Sequence, residues 1–139
     1  MEWVALRRIF LLLVLGTACT SEMQAPATPE EIIRKYQRHI DQNEYNAAIA
    51  LSTPSEQKRL EKEARIIALA PPDSTVFHTR FNYLQCRETD SKTAICSCSM
   101  EDEYGAYEGL FRLVKINGEW RVDVPVEDLP SETPQPQNR

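Results

Sequence analysis

Three cysteines in the second half of the chain, Cys86, Cys96 and Cys98, could do chemistry together. Thiols can form a disulfide, exchange with one, or bind a metal ion. All three have even numbers within one predicted hairpin, so they project from the same face of a sheet that has no bulge. A three-residue turn at residues 90–92 pairs Cys86 with Cys96, which predicts a disulfide there. A disulfide between Cys86 and Cys98 is the alternative.

A redox or metal site formed by Cys96, Cys98 and His78 is another interpretation of these thiols. Their spacing differs from that of the usual zinc motifs. The acidic run at residues 101–103 lacks the spacing of an EF-hand loop. We therefore expect neither a bound metal nor a cofactor.

One histidine and three tyrosines form a second set of candidates, which would line a pocket. They are His78, Tyr36, Tyr83 and Tyr107. An imidazole can act as a general base and a tyrosine hydroxyl can stabilise an oxyanion, with Asp102 or Glu103 as a further carboxylate. The simpler interpretation is that His78 is a partly exposed strand residue and that the tyrosines belong to the core.

The elements that must position these residues begin with helices. Residues 28–31, Thr-Pro-Glu-Glu, are a capping-box start, and apolar residues then recur at helical spacing until residues 41–43. A short second helix follows. Residues 53–56, Thr-Pro-Ser-Glu, repeat the capping box and start a third helix, whose buried stripe includes Leu60 and which ends at residues 71–74.

Beyond residue 74 the hydrophobic pattern alternates and predicts four strands, at 75–87, 93–100, 104–116 and 120–126. Glycines at 105 and 109 predict a bend or bulge in the third strand. Asn117-Gly118 predicts a two-residue turn. That turn pairs Leu113 with Val122 and Phe111 with Val124 on an apolar face, and Arg112 with Asp123 on the other. The sequence predicts an α+β domain of three N-terminal helices packed on a four-stranded antiparallel sheet.

The N-terminus has the layout of a secretory signal. Arg7 and Arg8 precede an apolar run at residues 9–15, and small residues precede Cys19. The run is too short to cross a bilayer core of roughly 30 Å. This arrangement resembles the lipobox of bacterial lipoproteins, which implies that the Cys19 thiol receives a diacylglycerol. Simple secretion and a retained anchor are the alternatives, since Gly16 stands where that family prefers leucine.

The length and the charge of the chain limit its domain organisation and its partners. With 139 residues it has room for one domain, and its net charge of −5 argues against a nucleic-acid partner. We expect a lipoprotein signal peptide at 1–18, a flexible tether at 19–27, a folded domain at 28–128 and a disordered tail at 129–139.

Residues 109–123, with the sequence Gly-Leu-Phe-Arg-Leu-Val-Lys-Ile-Asn-Gly-Glu-Trp-Arg-Val-Asp, carry a resemblance to a known superfamily. Together with the helix order and the Thr-Pro-Glu-Glu start, they resemble cystatin-like, nuclear-transport-factor-2-like domains, and more narrowly small bacterial lipoproteins whose domain has no assigned function. The resemblance covers about residues 28–126. It implies a bent sheet wrapped around the first helix to form a cone with a pocket. The related lipoproteins also place a cysteine on each side of the turn after Cys86.

Cone pockets of this superfamily serve enzymes, ligand carriers and docking modules, so the fold alone leaves the function open. We expect a non-catalytic, membrane-tethered lipoprotein domain of the bacterial cell envelope that binds a protein partner or a small ligand. The alternative is a small cone-type isomerase or hydrolase with His78 as general base. The other expected partners are the membrane, through lipidated Cys19, and a second copy of the chain, through the open sheet face.

Overall fold

The computed structural model describes residues 25–71 and 74–123 as three helices followed by four strands. The elements are α1 (Pro29–Asp41), α2 (Tyr45–Ala50), α3 (Pro54–Ile67), β1 (Arg80–Asp90), β2 (Thr93–Asp102), β3 (Gly105–Ile116) and β4 (Glu119–Val122). The strands form one antiparallel sheet in the order β1-β2-β3-β4. The predicted α+β class is confirmed. The expected signal peptide, Cys19 and the tail at 129–139 lie outside the described residues.

The first helix, α1, is fixed at its start by its own side chains. Thr28 and Glu31 form the predicted capping box, in which the two N–H···O distances are 2.9 and 3.3 Å. The buried face of α1 presents Ile33 and Tyr36 to the sheet. Asn43 follows the helix with φ of 58°, a left-handed conformation that asparagine tolerates better than most residues.

Only half of the second predicted capping box forms, at the start of α3. Thr53 Oγ1 accepts a hydrogen bond from the backbone N–H of Glu56, as expected. The Glu56 side chain does not return the bond, because it is fully buried and bonded to Tyr36 and Arg59. Leu60, one turn further along, is fully buried as predicted.

The first strand begins later than predicted, at Arg80 rather than at residue 75. Its partner strand β2 ends at Asp102, so residues before Arg80 have no strand to pair with. Asp41, at the end of α1, holds them instead. Its carbonyl oxygen accepts from the Phe77 N–H and its carboxylate from the Thr79 N–H, both at 2.9 Å.

The β1–β2 hairpin has the predicted register but a different turn. Cys86 lies opposite Cys96, as a three-residue turn would place it. The structure closes the hairpin with the pair Asp90 and Thr93, so the turn has two residues and Thr89 is an extra residue in β1. A second irregularity lies between Phe81 and Tyr83.

The β2–β3 pairing runs without interruption from Thr93 opposite Val114 to Asp102 opposite Gly105. The bulge predicted in β3 is therefore wrong, because each residue of this stretch has one partner in β2. The β3–β4 hairpin matches the prediction: Leu113 lies opposite Val122 across the Asn117-Gly118 turn. The predicted partner of Phe111, Val124, lies outside the described residues.

The last hairpin buries one face and pairs charges on the other. Trp120 is buried and lies 4.3 Å beneath the Lys115 ammonium. Arg112 donates to the Asp123 carboxylate, as the register predicted. Asp123 is also buried and accepts from Thr53 Oγ1 at 2.7 Å, so this carboxylate links the sheet to the start of α3.

The hydrophobic core lies between α1 and the face of the sheet that carries Cys96, Phe111 and Leu113, called the inner face below. The junction of α2 and α3 joins the edge of the sheet, where the Thr53 N–H donates to the Val122 carbonyl at 2.8 Å. Within residues 25–71 and 74–123, no helix combines the length and the apolar character needed to cross a membrane.

Candidate functional site

An open pocket of about 170 Å³ lies between α1, α3 and the inner face of β2 and β3. Apolar walls come from Ile40, Met100, Leu110 and Phe111, and polar groups from Tyr36, Arg59 and Tyr107. Tyr36 and Ile40 share one face of α1 because they are four residues apart. Met100 lies opposite Tyr107 across the β2–β3 pairing, so both project from the inner face.

A hydrogen-bonded cluster adjoins the pocket through Tyr36 and Arg59. The fully buried Glu56 carboxylate accepts from the Tyr36 hydroxyl, and from Arg59 Nε and Nη2 at 2.9 and 2.6 Å. Arg59 also donates to the Tyr36 oxygen at 3.1 Å and to Glu63 at 2.8 Å. Pairing of this kind offsets the large desolvation cost of a buried carboxylate.

The tyrosines of this region stay protonated at neutral pH. Burial, followed by the negative charge of Glu56, raises the pKa of Tyr36 far above its ordinary value. Burial, followed by the charge of Glu63, raises the pKa of Tyr45 to about 12. The Tyr36 hydroxyl therefore donates to Glu56 and is not available as a phenolate.

Arg59, which lines the pocket, has one hydrogen-bond donor that these contacts leave unused. A guanidinium has five N–H groups, and the contacts above use the one on Nε, both on Nη2 and one on Nη1. One Nη1 donor is left. Two carboxyl groups, those of Glu56 and Glu63, already contact the single guanidinium of Arg59. A neutral oxygen atom therefore suits this donor better than an anion does.

Tyr107 and Gln37 also line the pocket, and Asp41 lies behind Gln37. Asp41 is buried and accepts from Gln37 Nε2 at 2.9 Å and from Thr79 Oγ1 at 2.8 Å. Tyr107 is 41% exposed. Burial raises the pKa of Tyr107, and a hydrogen bond with Thr79 opposes that shift.

His78 lies apart from this pocket, in the segment before β1 rather than in the strand predicted for it. Its side chain is 83% exposed and its Nδ1 lies 3.0 Å from Glu103 Oε1. It lines a separate open groove of about 510 Å³ between α1 and residues 77–81. Tyr83 is also exposed, and its hydroxyl donates to Gln85 at 2.5 Å. Of the four candidates, the structure brings only Tyr36 and Tyr107 into one pocket.

Two of the three candidate cysteines, Cys86 and Cys96, lie at disulfide-bonding distance on the inner face of the sheet. A bond here closes a short loop and contributes about 2–3 kcal/mol to stability. Cys98 is buried, and its Sγ donates to the Gly109 carbonyl at 3.4 Å. Within the described residues, no group of three or more His, Cys, Asp or Glu side chains is arranged to hold a metal.

The acidic run at 101–103 has structural partners. Asp102 Oδ1 accepts from the N–H groups of Tyr104 and Gly105 at 2.7 and 3.2 Å and shapes the β2–β3 turn. Glu101 pairs with Arg80 at 2.6 Å. Neither Asp102 nor Glu103 lines the pocket that contains Tyr36.

Sequence reasoning missed Glu56 and Arg59, the two charged residues of the buried cluster. Glu56 was assigned to a helix cap, and Arg59 was not among the candidate site residues. A signal was present, because Glu56 lies four residues before Leu60 and therefore on the buried face of α3. Charged residues at such positions are rarely buried without a partner.

No family model and no curated protein matches this chain. Solved structures do match it. A Novosphingobium aromaticivorans protein assigned as a scytalone dehydratase superposes with a TM-score of 0.52 and 14% identity, over 67% of this chain and 75% of its own. The Streptomyces protein Aln2 has a TM-score of 0.48 and 15% identity, over 70% and 88%. The likeness to the first protein supports the cone-type α+β domain, and it concerns the fold alone.

Proposed function

We propose that this protein is a non-catalytic, ligand-binding domain that a lipidated Cys19 tethers to the membrane of the bacterial envelope. The pocket between α1, α3 and the sheet carries the binding part of this proposal. It combines apolar walls with one unused Arg59 donor, which is the usual make-up of a small-molecule site.

The dimensions of the pocket suit a small ring. A cavity of about 150 Å³ admits benzene, so an open pocket of about 170 Å³ is large enough for one ring. The Phe111 ring, packed edge-on against Tyr36 at 6.4 Å between centroids, offers an aromatic wall for it.

The charges of the pocket select a neutral ligand. Arg59 can donate one hydrogen bond to a hydroxyl or carbonyl oxygen, whereas the excess of carboxylates around it repels a carboxylate ligand. We propose a single-ring compound that carries a neutral oxygen.

The arrangement favours binding over acid–base catalysis. The Glu56 carboxylate is fully buried and already accepts from Tyr36 and Arg59, so it is poorly placed to take a proton from a ligand. Among the described residues, no histidine lines this pocket. His78 would need to act from a different groove.

The tether part of the proposal rests on the sequence around Cys19 and on the cysteine pair. A disulfide between Cys86 and Cys96 indicates an oxidising, extracytoplasmic setting. Such a setting agrees with a signal sequence that ends in a lipobox-like cysteine.

Titration with phenol and benzoate tests the ligand class. We expect residues 20–139 to bind phenol weakly and saturably, in about the millimolar range for so small a ligand, and benzoate at least about tenfold more weakly. Chemical-shift changes in NMR spectra report both affinities. Equal affinity for the two probes, or binding of neither, would contradict the proposal.

A matched pair of variants locates the binding. Ile40→Phe adds volume inside the pocket and should weaken phenol binding about tenfold or more. Ile49→Phe makes the same change at a partly buried position of α2 that does not line this pocket, and should keep the parent affinity. Similar losses in both variants would show that phenol binds elsewhere.

A further inference from the structure

The solvent side of α1 carries Arg34, Lys35 and Arg38, which we call the basic face. All three side chains belong to exposed residues. Among the described residues, none of the three takes part in an ion pair. The basic face therefore presents three cations without a direct ion pair on a chain whose net charge is −5.

The acidic residues of α1 are engaged elsewhere. Glu30 accepts from the Cys86 N–H at 2.9 Å, and Glu31 closes the capping box with Thr28. Asp41 is buried against Thr79. Glu30 and Glu31 precede Arg34 and Lys35 by four residues and so lie near them on the helix, but among the described residues no ion pair joins them to these cations.

The groove beside the basic face adds little charge of its own. Across it, Arg80 is paired with Glu101 at 2.6 Å and His78 lies against Glu103 at 3.0 Å. The excess positive charge of this surface therefore comes from α1. Arg34 leans into the groove, with its guanidinium 5.2 Å from the centre of the Phe81 ring.

The arrangement suits an extended anionic surface better than a small anion. The three cations spread over one side of a helix and do not converge on a buried point. Phe77 lines the same groove, and the ring centre of Tyr104, which is 84% exposed and lines a neighbouring pocket, lies 5.8 Å from that of Phe77. Exposed cations beside exposed aromatic rings are typical of proteins that lie on a membrane.

The proposed tether would keep the basic face close to a bilayer. The residues from Cys19 to Thr28 lead directly into α1, and a stretch of this length spans at most about 30 Å when fully extended. Since α1 is the first helix or strand of the described structure after Cys19, a lipid on Cys19 tethers α1 to the headgroups by a shorter stretch of chain than any other element.

We propose that the basic face of α1 docks on the anionic headgroups of the membrane that holds the tether. This inference rests on the tether in the proposed function and is independent of the ligand in the pocket. Docking through α1 would give the domain a fixed orientation on the bilayer, in place of free rotation on its tether.

Vesicle binding of residues 20–139 tests the docking without the lipid. All core residues of the described structure lie between Ala27 and Val122, so residues 20–139 contain this whole core. We expect co-sedimentation with phosphatidylcholine vesicles that contain phosphatidylglycerol, little with phosphatidylcholine alone, and a loss at high salt. Absence of any dependence on phosphatidylglycerol overturns the inference, whatever the state of Cys19.

Charge reversal assigns the binding to a surface. Arg34→Glu/Arg38→Glu should weaken vesicle binding more than about tenfold, since each cation at a membrane surface contributes about fivefold. Lys58→Glu/Lys62→Glu makes the same charge change at two exposed α3 positions with the same spacing and should bind within about twofold of the parent. Equal losses in the two pairs overturn the assignment.

Two further measurements complete the test. Lys35→Glu/Arg38→Glu leaves the contact of Arg34 with Phe81 intact and should also weaken vesicle binding. This variant keeps the test valid if the first variant fails to fold. Inorganic phosphate and a polyglutamate peptide are titrated in parallel. Saturable binding of either probe without vesicle binding would show a site for a soluble anion or an acidic partner and would overturn docking on a membrane.

Discussion

At the residue scale, the polar end of the pocket depends on Glu56, whose carboxylate is the common acceptor for Tyr36 and Arg59. Glu56→Gln should lower the free energy of unfolding by about 2–3 kcal/mol, because a neutral amide leaves the Arg59 charge without its buried partner. Urea unfolding measures the loss.

The matched control for that change is Glu63→Gln. Glu63 contacts the same guanidinium, but both side chains are about one-third exposed. Glu63→Gln should therefore lower the free energy of unfolding by less than about 1 kcal/mol, as for other solvent-accessible ion pairs. Equal losses in the two variants would mean that burial of Glu56 does not govern the cluster.

The raised pKa of Tyr36 predicts a loss of stability in alkali. Its pKa in the folded protein lies above its ordinary value of 10.0, so between these values the unfolded chain releases a proton that the folded protein keeps. The contribution of Tyr36 to the free energy of unfolding is therefore fully present below about pH 10. Above that pH the free energy of unfolding falls by up to about 1.4 kcal/mol per pH unit.

Unfolding by urea across that pH range checks the expectation. Tyr36→Phe should flatten the alkaline fall in stability, whereas Tyr83→Phe removes an exposed hydroxyl and serves as the control. A slope that is the same in the parent and in Tyr36→Phe would show that Tyr36 does not carry the effect.

The candidate site could be predicted from the sequence only in part, and the reason is physical. Tyr36 and Tyr107 were chosen as hydroxyl donors and both line the pocket. His78 was chosen for its chemistry, but its position depends on Asp41, which accepts hydrogen bonds from the backbone N–H groups of Phe77 and Thr79 on either side of it. Arg59 was overlooked because the sequence shows nothing of its contact with the buried Glu56 carboxylate.

At the element scale, the β3–β4 hairpin is the part of the fold that local sequence determines most strongly. Asn117 and Gly118 adopt φ of 52° and 83°, and these two positive values set the register of both strands. The predicted start of β1, by contrast, was wrong. A strand extends only as far as its partner strand, and the periodicity of a sequence does not show where that partner ends.

The same turn offers a direct test of backbone conformation. Gly118→Ala should destabilise the domain by about 1–2 kcal/mol, because alanine is strained at positive φ. Nothing lies within 4 Å of a methyl group placed there, so the cost is conformational and not steric. Glu119→Ala, at an exposed neighbouring position, should change the urea midpoint little. A neutral effect of Gly118→Ala would show that the turn relaxes to another type.

At the scale of the whole molecule, charge is distributed unevenly around the fold. The chain is acidic overall, yet α1 presents a basic face, and the pocket opens on the inner side of the same helix. If α1 docks on the membrane, its basic face meets the headgroups while Tyr36 and Ile40 still face the ligand pocket. One helix would thus serve two surfaces, because its opposite sides carry different chemistry.

Acylation of Cys19 is the prediction on which the location of the whole molecule depends. In cells that express the full chain, a radiolabelled fatty acid should be incorporated into the parent protein and not into Cys19→Ser, which lacks the thiol that the diacylglycerol would join. Cys98→Ser is the matched control, since it removes a thiol buried in the domain and should keep the label. The parent should also fractionate with membranes, because two or more acyl chains anchor a protein stably. Equal labelling of the parent and Cys19→Ser would refute the lipid anchor.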